Sequence, residues 1–307
     1  MSDRVFANAE FAAGGLRLQV AGPPSDLAPY ISAYYRTEVA PGAVVEDWLP
    51  PEEANLRCGK AEVYEAAIGD SGLAQVPACV LSGPTDRVTR LRIGGGRFWG
   101  IGLTPAGWAR FVGQPAIAMA NRFERVDTAV VEEGLAGLLA TLCHEVDRME
   151  EAADLIAATF RSLAGDPLAE VQAIRNVHLA ITSSDVHTVT ELAEIAGMQS
   201  RTFVRFCRRH FGFTPSNLLR RQRFLRSLGK YMLDPSMNWI SSLDTHYWDQ
   251  AQFIRDFRSV MGMTPGEYAA LPHPIVHAAV AVTNAGSGVA MQALYNPDRE
   301  RESETGL

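Results

Sequence analysis

The sequence predicts an α+β protein: a β-rich barrel or sandwich over residues 1–126, a helical linker over 127–168, an all-α domain over 169–272 and a tail over 273–307. Three observations carry this. Through residue 126 the chain breaks into short apolar segments bounded by Pro and Gly, the mark of strands and turns. From 130 to 163 apolar residues recur at helical spacing. Between Gln199 and Pro265 one short pattern is written twice, fifty residues apart: Phe203 matches Phe253, Arg205 matches Arg255, Arg208 matches Arg258, Gly212 matches Gly262, and Thr214-Pro215 matches Thr264-Pro265. Identity at a fixed offset is a repeat signal.

In the first half, strands are expected at Leu16–Val20, Gly42–Leu49, Ala61–Ile68, Ala78–Leu81, Val88–Ile93 and Phe98–Leu103, with turns at Pro23-Pro24, Ile68–Gly72, Ser82–Thr85 and Gly94–Gly96. Asp26–Tyr35 is the exception. Leu27, Tyr30, Ile31 and Tyr34 have helical spacing after a Ser25 or Asp26 cap, which predicts a helix. A second short helix should follow Thr104, with Pro105 at its first position, and stop at Gly113. If the barrel holds a small molecule, the aromatic and cationic candidates to line it are Tyr34, Trp48, Arg57, Tyr64 and Trp99, although such residues are more often core or rim.

The linker reads as two helices. Val130–Met149 puts Leu135, Leu138, Leu139, Leu142 and Val146 on one face, and Ala152–Leu163 does the same with Leu155, Ile156 and Phe160. Acidic Glu132, Glu133, Asp147, Glu150, Glu151 and Asp154 cover the outside. A hairpin of this kind packs against its own β-domain or forms a dimer seam; crosslinking separates the two.

Each copy of the repeat reads as a helix, opened by Gln199 or Asp249 and closed by Gly212 or Gly262. With Phe203 facing inward, Phe206, Cys207 and His210 fall on the same side, while Arg201, Arg205 and Arg208 fall opposite. In the second copy Phe253, Phe257 and Val260 face in; Ala251, Arg255 and Arg258 face out. Before the first copy, Thr190–Ala196 forms helix and Gly197 turns the chain, a helix–turn–helix arrangement. A long helix, Ser216–Leu233, would join the copies at a separation near one duplex turn, roughly 34 Å. An apolar back with an arginine front suits the major groove, where a guanidinium reaches guanine O6 and N7 or grips phosphate. For one isolated helix, solvated arginines are the better reading; duplication of the arginine positions argues against it.

Here the sequence resembles the DNA-binding domain of the AraC/XylS family of bacterial transcription regulators, over about residues 175–271. The carrying residues are Leu192-Ala193, Gly197-Met198, Phe203, Arg205, Arg208, Gly212 and Pro215, then Tyr247, Asp249-Gln250, Phe253, Arg255, Phe257-Arg258 and Gly262–Pro265. The resemblance implies two helix–turn–helix units whose recognition helices, 200–211 and 250–261, enter successive major grooves, and it implies RNA polymerase as a further partner of an activator. The first half is similar to the sensor-like N-terminal domain of one AraC branch, on Leu27, Pro29-Tyr30-Ile31, Tyr34, Glu46, Leu49-Pro50, Ser82–Pro84 and Gly100–Pro105 with Gly107. Where that branch has a Pro-Asp/Asn-Gly turn, this chain has Pro51-Glu52-Glu53. The second unit also departs: Ser241–His246 replaces an Ile-Ala…Gly stretch, and Asp256 puts an acid on the recognition helix. The first unit should therefore supply most base contacts.

Charge fits locally. The net charge of −7 argues against a nucleic-acid partner, but Gly197–Leu233 holds Arg201, Arg205, Arg208, Arg209, Arg220, Arg221, Arg223, Arg226 and Lys230 with no acid. Screening at physiological salt limits what distant acids can oppose. An enzyme is disfavoured, because no histidine precedes His144 and a cupin-type metal site needs imidazoles; Glu46, Asp47, Glu52 and Glu53 read as a solvated acidic loop. The four cysteines lack ligand spacing and read as reduced, mostly buried thiols. No cofactor is expected. No apolar run reaches membrane-spanning length, and no signal peptide is evident, so the expected location is the cytoplasm. Tyr295–Leu307 is expected to be disordered, and Ile275–Leu294 has no assigned mechanism, with a docking strand or helix as its open reading.

The residues expected to read bases are Arg201, Arg205 and Arg255; those expected on the DNA backbone are Gln199, Thr202, Arg208, Arg209, Gln250, Gln252 and Arg258. A small-molecule effector and a homodimer are the other expected partners. The competing reading is a protein-interaction module whose second DNA-binding unit has eroded.

Overall fold

The computed structural model describes residues 9–127, 131–165, 169–183, 185–233, 242–244, 247 and 249–284. The first half forms one antiparallel sheet of eight strands: β1 (Ala9–Ala13), β2 (Leu16–Ala21), β3 (Ile31–Leu49), β4 (Ala54–Ile68), β5 (Ala74–Gln75), β6 (Cys79–Ser82), β7 (Thr89–Leu103) and β8 (Phe123–Arg125). Their order is β1-β2-β3-β7-β4-β6-β8, with β5 against β4.

The strands are longer than the turn signals predict. Gly94–Gly96 is no turn but lies inside β7, where Gly94 pairs with Val44 and Val63 and Gly96 with Val39 and Ala61. The register with β3 shifts between Val39 and Val44, so the glycines sit at an irregularity in a continuous strand. A Cβ at Gly96 would lie 2.4 Å from the Lys60 carbonyl oxygen; flanking strands on both sides leave that position no room for a side chain.

The expected helix at Asp26–Tyr35 is absent as well. Residues 25–30 form turns, in which Leu27 and Ala28 donate to the Pro24 carbonyl and Ile31 to that of Leu27, and β3 begins at Ile31. Leu27, Ile31 and Tyr34 are all buried; a single turn followed by strand alternation reproduces helical spacing over so short a span.

Helices cover both faces of the sheet. On one, α1 (Pro105–Phe111), α2 (Ala116–Met119) and the hairpin α3 (Glu133–His144) and α4 (Met149–Leu163) bury Tyr34, Leu56, Trp99, Ile101 and Leu103 under Leu135, Leu139, Leu142, Ile156 and Phe160. The linker thus packs on its own sheet, braced by Arg161 to Asp26 at 2.7 Å and by Arg97 to Asp147. Thr104 caps α1 by accepting from the Gly107 amide and ties it to β3 through the Pro29 carbonyl. Gly107 lies against the Tyr30 carbonyl, which a Cβ would approach to 2.0 Å, so α1 can cross there only with glycine.

The second half is helical: α5 (Val171–Thr182), α6 (Val189–Ile195), α7 (Ser200–Phe211), α8 (Pro215–Leu233), α9 (Gln250–Met261), α10 (Pro265–Ala269) and α11 (Pro274–Asn284). A continuous core joins the other face of the sheet (Leu16, Leu18, Val20, Val39, Val45, Ile93, Phe98) to Phe224 and Leu228 of α8, Phe253 and Phe257 of α9, and Ile275, Ala278 and Val282 of α11. The C-terminal stretch, read from sequence as a tail, therefore includes a buried helix. Residues 285–307, with the expected disordered end, lie outside the described residues. Among the described residues no helix is long and apolar enough to cross a membrane.

Candidate nucleic-acid interface

The first helix–turn–helix unit is built by local signals. Thr188 and Glu191 form a capping box at the start of α6, each side chain satisfying the other's backbone amide. Gly197 turns the chain with φ of 63°, and Gly212 ends α7 in the left-handed region. Phe203, Phe206, Cys207, His210 and Phe211 are buried, and Phe203 joins Ile174, Val177, Leu192 and Leu218 in one cluster. Arg201, Thr202, Arg205, Arg208 and Arg209 are exposed, as is Gln199, which makes no capping hydrogen bond.

The second unit repeats this geometry. Asp249 caps α9 by accepting from the Gln252 amide at 2.6 Å, and Gly262 closes it with φ of 70°. Phe253, Phe257, Val260 and Met261 are buried, whereas Gln250, Arg255 and Arg258 are exposed and Gln252 is half-buried. The α8 helix, 19 residues long and thus about 28 Å, spans between the units.

Two sequence expectations about charge are corrected. Asp256 does not face outward: it is buried and pairs with Arg223 of α8 at 3.3 Å, while Arg223 stacks over Tyr247. The basic stripe does not act as one patch either. On α8, Arg220 bonds Asn217, Arg221 is buried against the β-domain, Arg223 holds Asp256, and Arg226 holds Asp244 at 2.5 Å. Asp244, also buried, lies in the stretch that departs from the family pattern. These two buried acids of the second unit are thus matched by arginines of the linking helix. Ser241, Thr245 and His246 of that stretch lie outside the described residues.

Arg221 was not singled out by sequence. Its Nη1 donates to the Thr85 carbonyl at 2.9 Å and the Glu52 carbonyl at 3.4 Å, and Asn217 beside it donates to Asp86 at 2.6 Å. Burial, only partly offset by Glu53 and Asp86, lowers the Arg221 pKa. Elsewhere Val88 donates to the Val260 carbonyl at the end of α9. The linking helix and the second DNA-facing unit are therefore bonded to the β-domain.

The acidic loop is not solvated. Glu46 pairs with Arg90, Glu52 with Arg57 at 2.5 Å and Glu53 with His178. Asp47 is fully buried and accepts from the amides of Ile275 (2.8 Å) and Val276 (2.9 Å), the first turn of α11. It also meets His273 Nδ1 at 3.0 Å, and the other ring nitrogen of His273 faces the Tyr268 carbonyl at 2.7 Å, so both nitrogens face acceptors. A carboxylate on the sheet thus caps the C-terminal helix. Sequence gave no sign of it, since the partners are more than two hundred residues apart.

Of the five candidate ligand residues, three come together. Arg57, Tyr64 and Trp99 line a cavity of about 60 Å³ with Tyr35, Leu49, Phe98 and Ile275. Arg57 Nε donates to the Tyr35 hydroxyl at 2.7 Å. Burial opposes the Arg57 charge, but Glu52, Tyr35 and Tyr64 outweigh it and its pKa is raised. Tyr34 faces the hairpin instead, its hydroxyl buried and unpartnered, and Trp48 packs under Arg90 with its carbonyl accepting from Tyr268. Among the described residues no group of side chains could hold a metal ion.

Residues 192–270 match the model of a helix-turn-helix domain family. No curated protein matches the chain. Among solved structures it is similar to ToxT from Vibrio cholerae, at 10% identity over 83% of this chain and 98% of that one, with a TM-score of 0.39. The same holds for an unsaturated-fatty-acid-bound form of wild-type ToxT (9% identity, 84% and 96%, 0.38). The AraC-like transcriptional activator CuxR is similar at 13% identity over 69% of this chain and 81% of its own, with a TM-score of 0.29. At such scores these neighbours carry nothing about ligands or sites here.

Proposed function

We propose, from the premise that this chain is a DNA-binding transcription regulator of the AraC/XylS family, that α7 and α9 enter successive major grooves on one face of a duplex. Arg201, Arg205 and Arg255 read base edges; Gln199, Thr202, Arg208, Arg209, Gln250, Gln252 and Arg258 hold the phosphate backbone. One observation carries the assignment. Every arginine of α8 is committed to an internal partner, whereas the arginines of α7 and α9 all face solvent. Arginines exposed on two matching helices, with no ion pair among the described residues, are available to an outside anion. The pairing of Asp244 and Asp256 with α8 favours a working second unit over an eroded one. A small-molecule effector at the Arg57 site would have to widen its cavity of about 60 Å³, since ligand pockets run from about 300 Å³.

The test starts by selecting the bound sequence from random DNA with the full chain. Arg205→Ala should then cost about 1–3 kcal/mol on the selected site and relax preference at one position, while Arg208→Ala should weaken all DNA alike and lower the salt slope by about one. Uniform weakening by Arg205→Ala would move that residue to the backbone, and failure to enrich any sequence would remove the reading altogether.

A further inference from the structure

Three of the four cysteines, far apart in sequence, meet at one point of the fold. Cys58 on β4 and Cys79 on β6 are direct cross-strand partners. The Gly59 amide bonds the Ala78 carbonyl, which puts the pair at a non-hydrogen-bonded position, where Cα atoms stand about 4.5 Å apart and side chains are closest. Cys143 on α3 packs in the same cluster, and its thiol interacts with the other two. Cys58 and Cys143 are buried; Cys79 is half-buried and open to solvent. No metal-holding group exists among the described residues, and none of the three thiols serves the DNA-facing surface.

We propose that Cys58, Cys79 and Cys143 form an oxidisable thiol cluster in which a hydroperoxide oxidises Cys79 and Cys143 then closes a disulfide with it. The three neighbouring sulfurs interact, and Cys79 is the one that solvent reaches; Cys143 chiefly raises its pKa, to about 11, so only a small thiolate fraction is presented there and the reaction is slow. The thiols of Cys58 and Cys79, donating to Cys143, hold it below the ordinary thiol range, with His144 and Arg97 adding to this. The same contacts, with burial, raise Cys58. The Cys79 thiolate takes the OH of ROOH, breaking the O–O bond, and becomes a sulfenic acid; the alkoxide RO⁻ takes up the proton the thiol had released and leaves as ROH. Cys143 Sγ attacks Cys79 Sγ; the S–S bond forms, the S–O bond breaks, and hydroxide takes the Cys143 proton to leave as water. Two thiols and one peroxide give one disulfide, ROH and water. The bond would pin α3 to the outer part of the sheet.

The experiment treats the full chain with hydrogen peroxide, quenches it, and counts thiols after denaturation. Four titratable thiols should fall to two, and peptide mapping should find Cys79 joined to Cys143 within one chain. Cys207, buried alone on α7, is the internal control: Cys207→Ser should change neither result beyond its own thiol. Cys79→Ala should leave the remaining three reduced. A count that stays at four, or linkage through Cys207 or between chains, would overturn the cluster; linkage of Cys79 to Cys58 would overturn the role given to Cys143.

Discussion

Replacing Asp47 by Ala tests whether the sheet and the C-terminal helix are held by one carboxylate. Alanine removes both carboxylate oxygens and leaves the amides of Ile275 and Val276, two buried donors, without their acceptor, at about 1–3 kcal/mol each. Loss of a charge at the start of α11 adds about 0.3–1 kcal/mol. Together the losses come to about 2–7 kcal/mol. For a chain of 307 residues the melting entropy is about 0.6 kcal/mol/K, so Tm should drop by about 4–11 °C. Urea midpoints and amide exchange in α11 are the measurements: exchange should speed first in α11, since its first turn loses its acceptors. A stability change under about 1 kcal/mol with α11 protection unaltered would refute the assignment of Asp47 as the cap.

Two further predictions bear on the junction between the halves. Arg221→Met keeps much of the aliphatic packing but strands the carbonyl of Thr85 and takes one donor from that of Glu52, which keeps the Thr85 amide; it should cost about 1–3 kcal/mol, with faster tryptic cleavage between β7 and α8 as the readout, and unchanged cleavage and stability would contradict it. For His210, burial chiefly depresses the pKa, with Arg209 adding and Glu170 opposing, so below about pH 6.5 the unfolded chain binds the proton first. Stability should therefore fall as pH drops from there; His210→Gln should flatten that slope in urea midpoints, and an equal slope in both proteins would contradict it.

The duplicated helices were legible because their determinants are local: the Phe and Arg positions, Asp249 as cap, and Gly212 and Gly262 as stops all act within one or two turns of chain. The β-domain was legible as a class but not in its strand lengths, because Gly94–Gly96 looks like a turn until β3 and β4 flank it. Short-range spacing misled at Asp26–Tyr35 for the same reason, as sheet pairing outweighed a one-turn pattern. Wholly hidden were Asp47 with α11, Arg221 with Thr85, and the meeting of Cys58, Cys79 and Cys143. Each joins residues whose chemistry is unremarkable alone and whose proximity is decided by the tertiary fold. Asp256 was misjudged because its angle on α9 is ambiguous, and only Arg223 shows which way it points.

The apolar layer shared by β1–β3, α8, α9 and α11 has a practical corollary. There is no seam at which the chain can be cut to free the DNA-facing half: a fragment beginning near residue 169 would present Phe224, Leu228, Phe253 and Phe257 to water and should clump rather than fold. Nor is there a slack hinge along this wall to absorb a disturbance. Any shift of the sheet large enough to matter must carry the α9 arginines with it or tear the layer open.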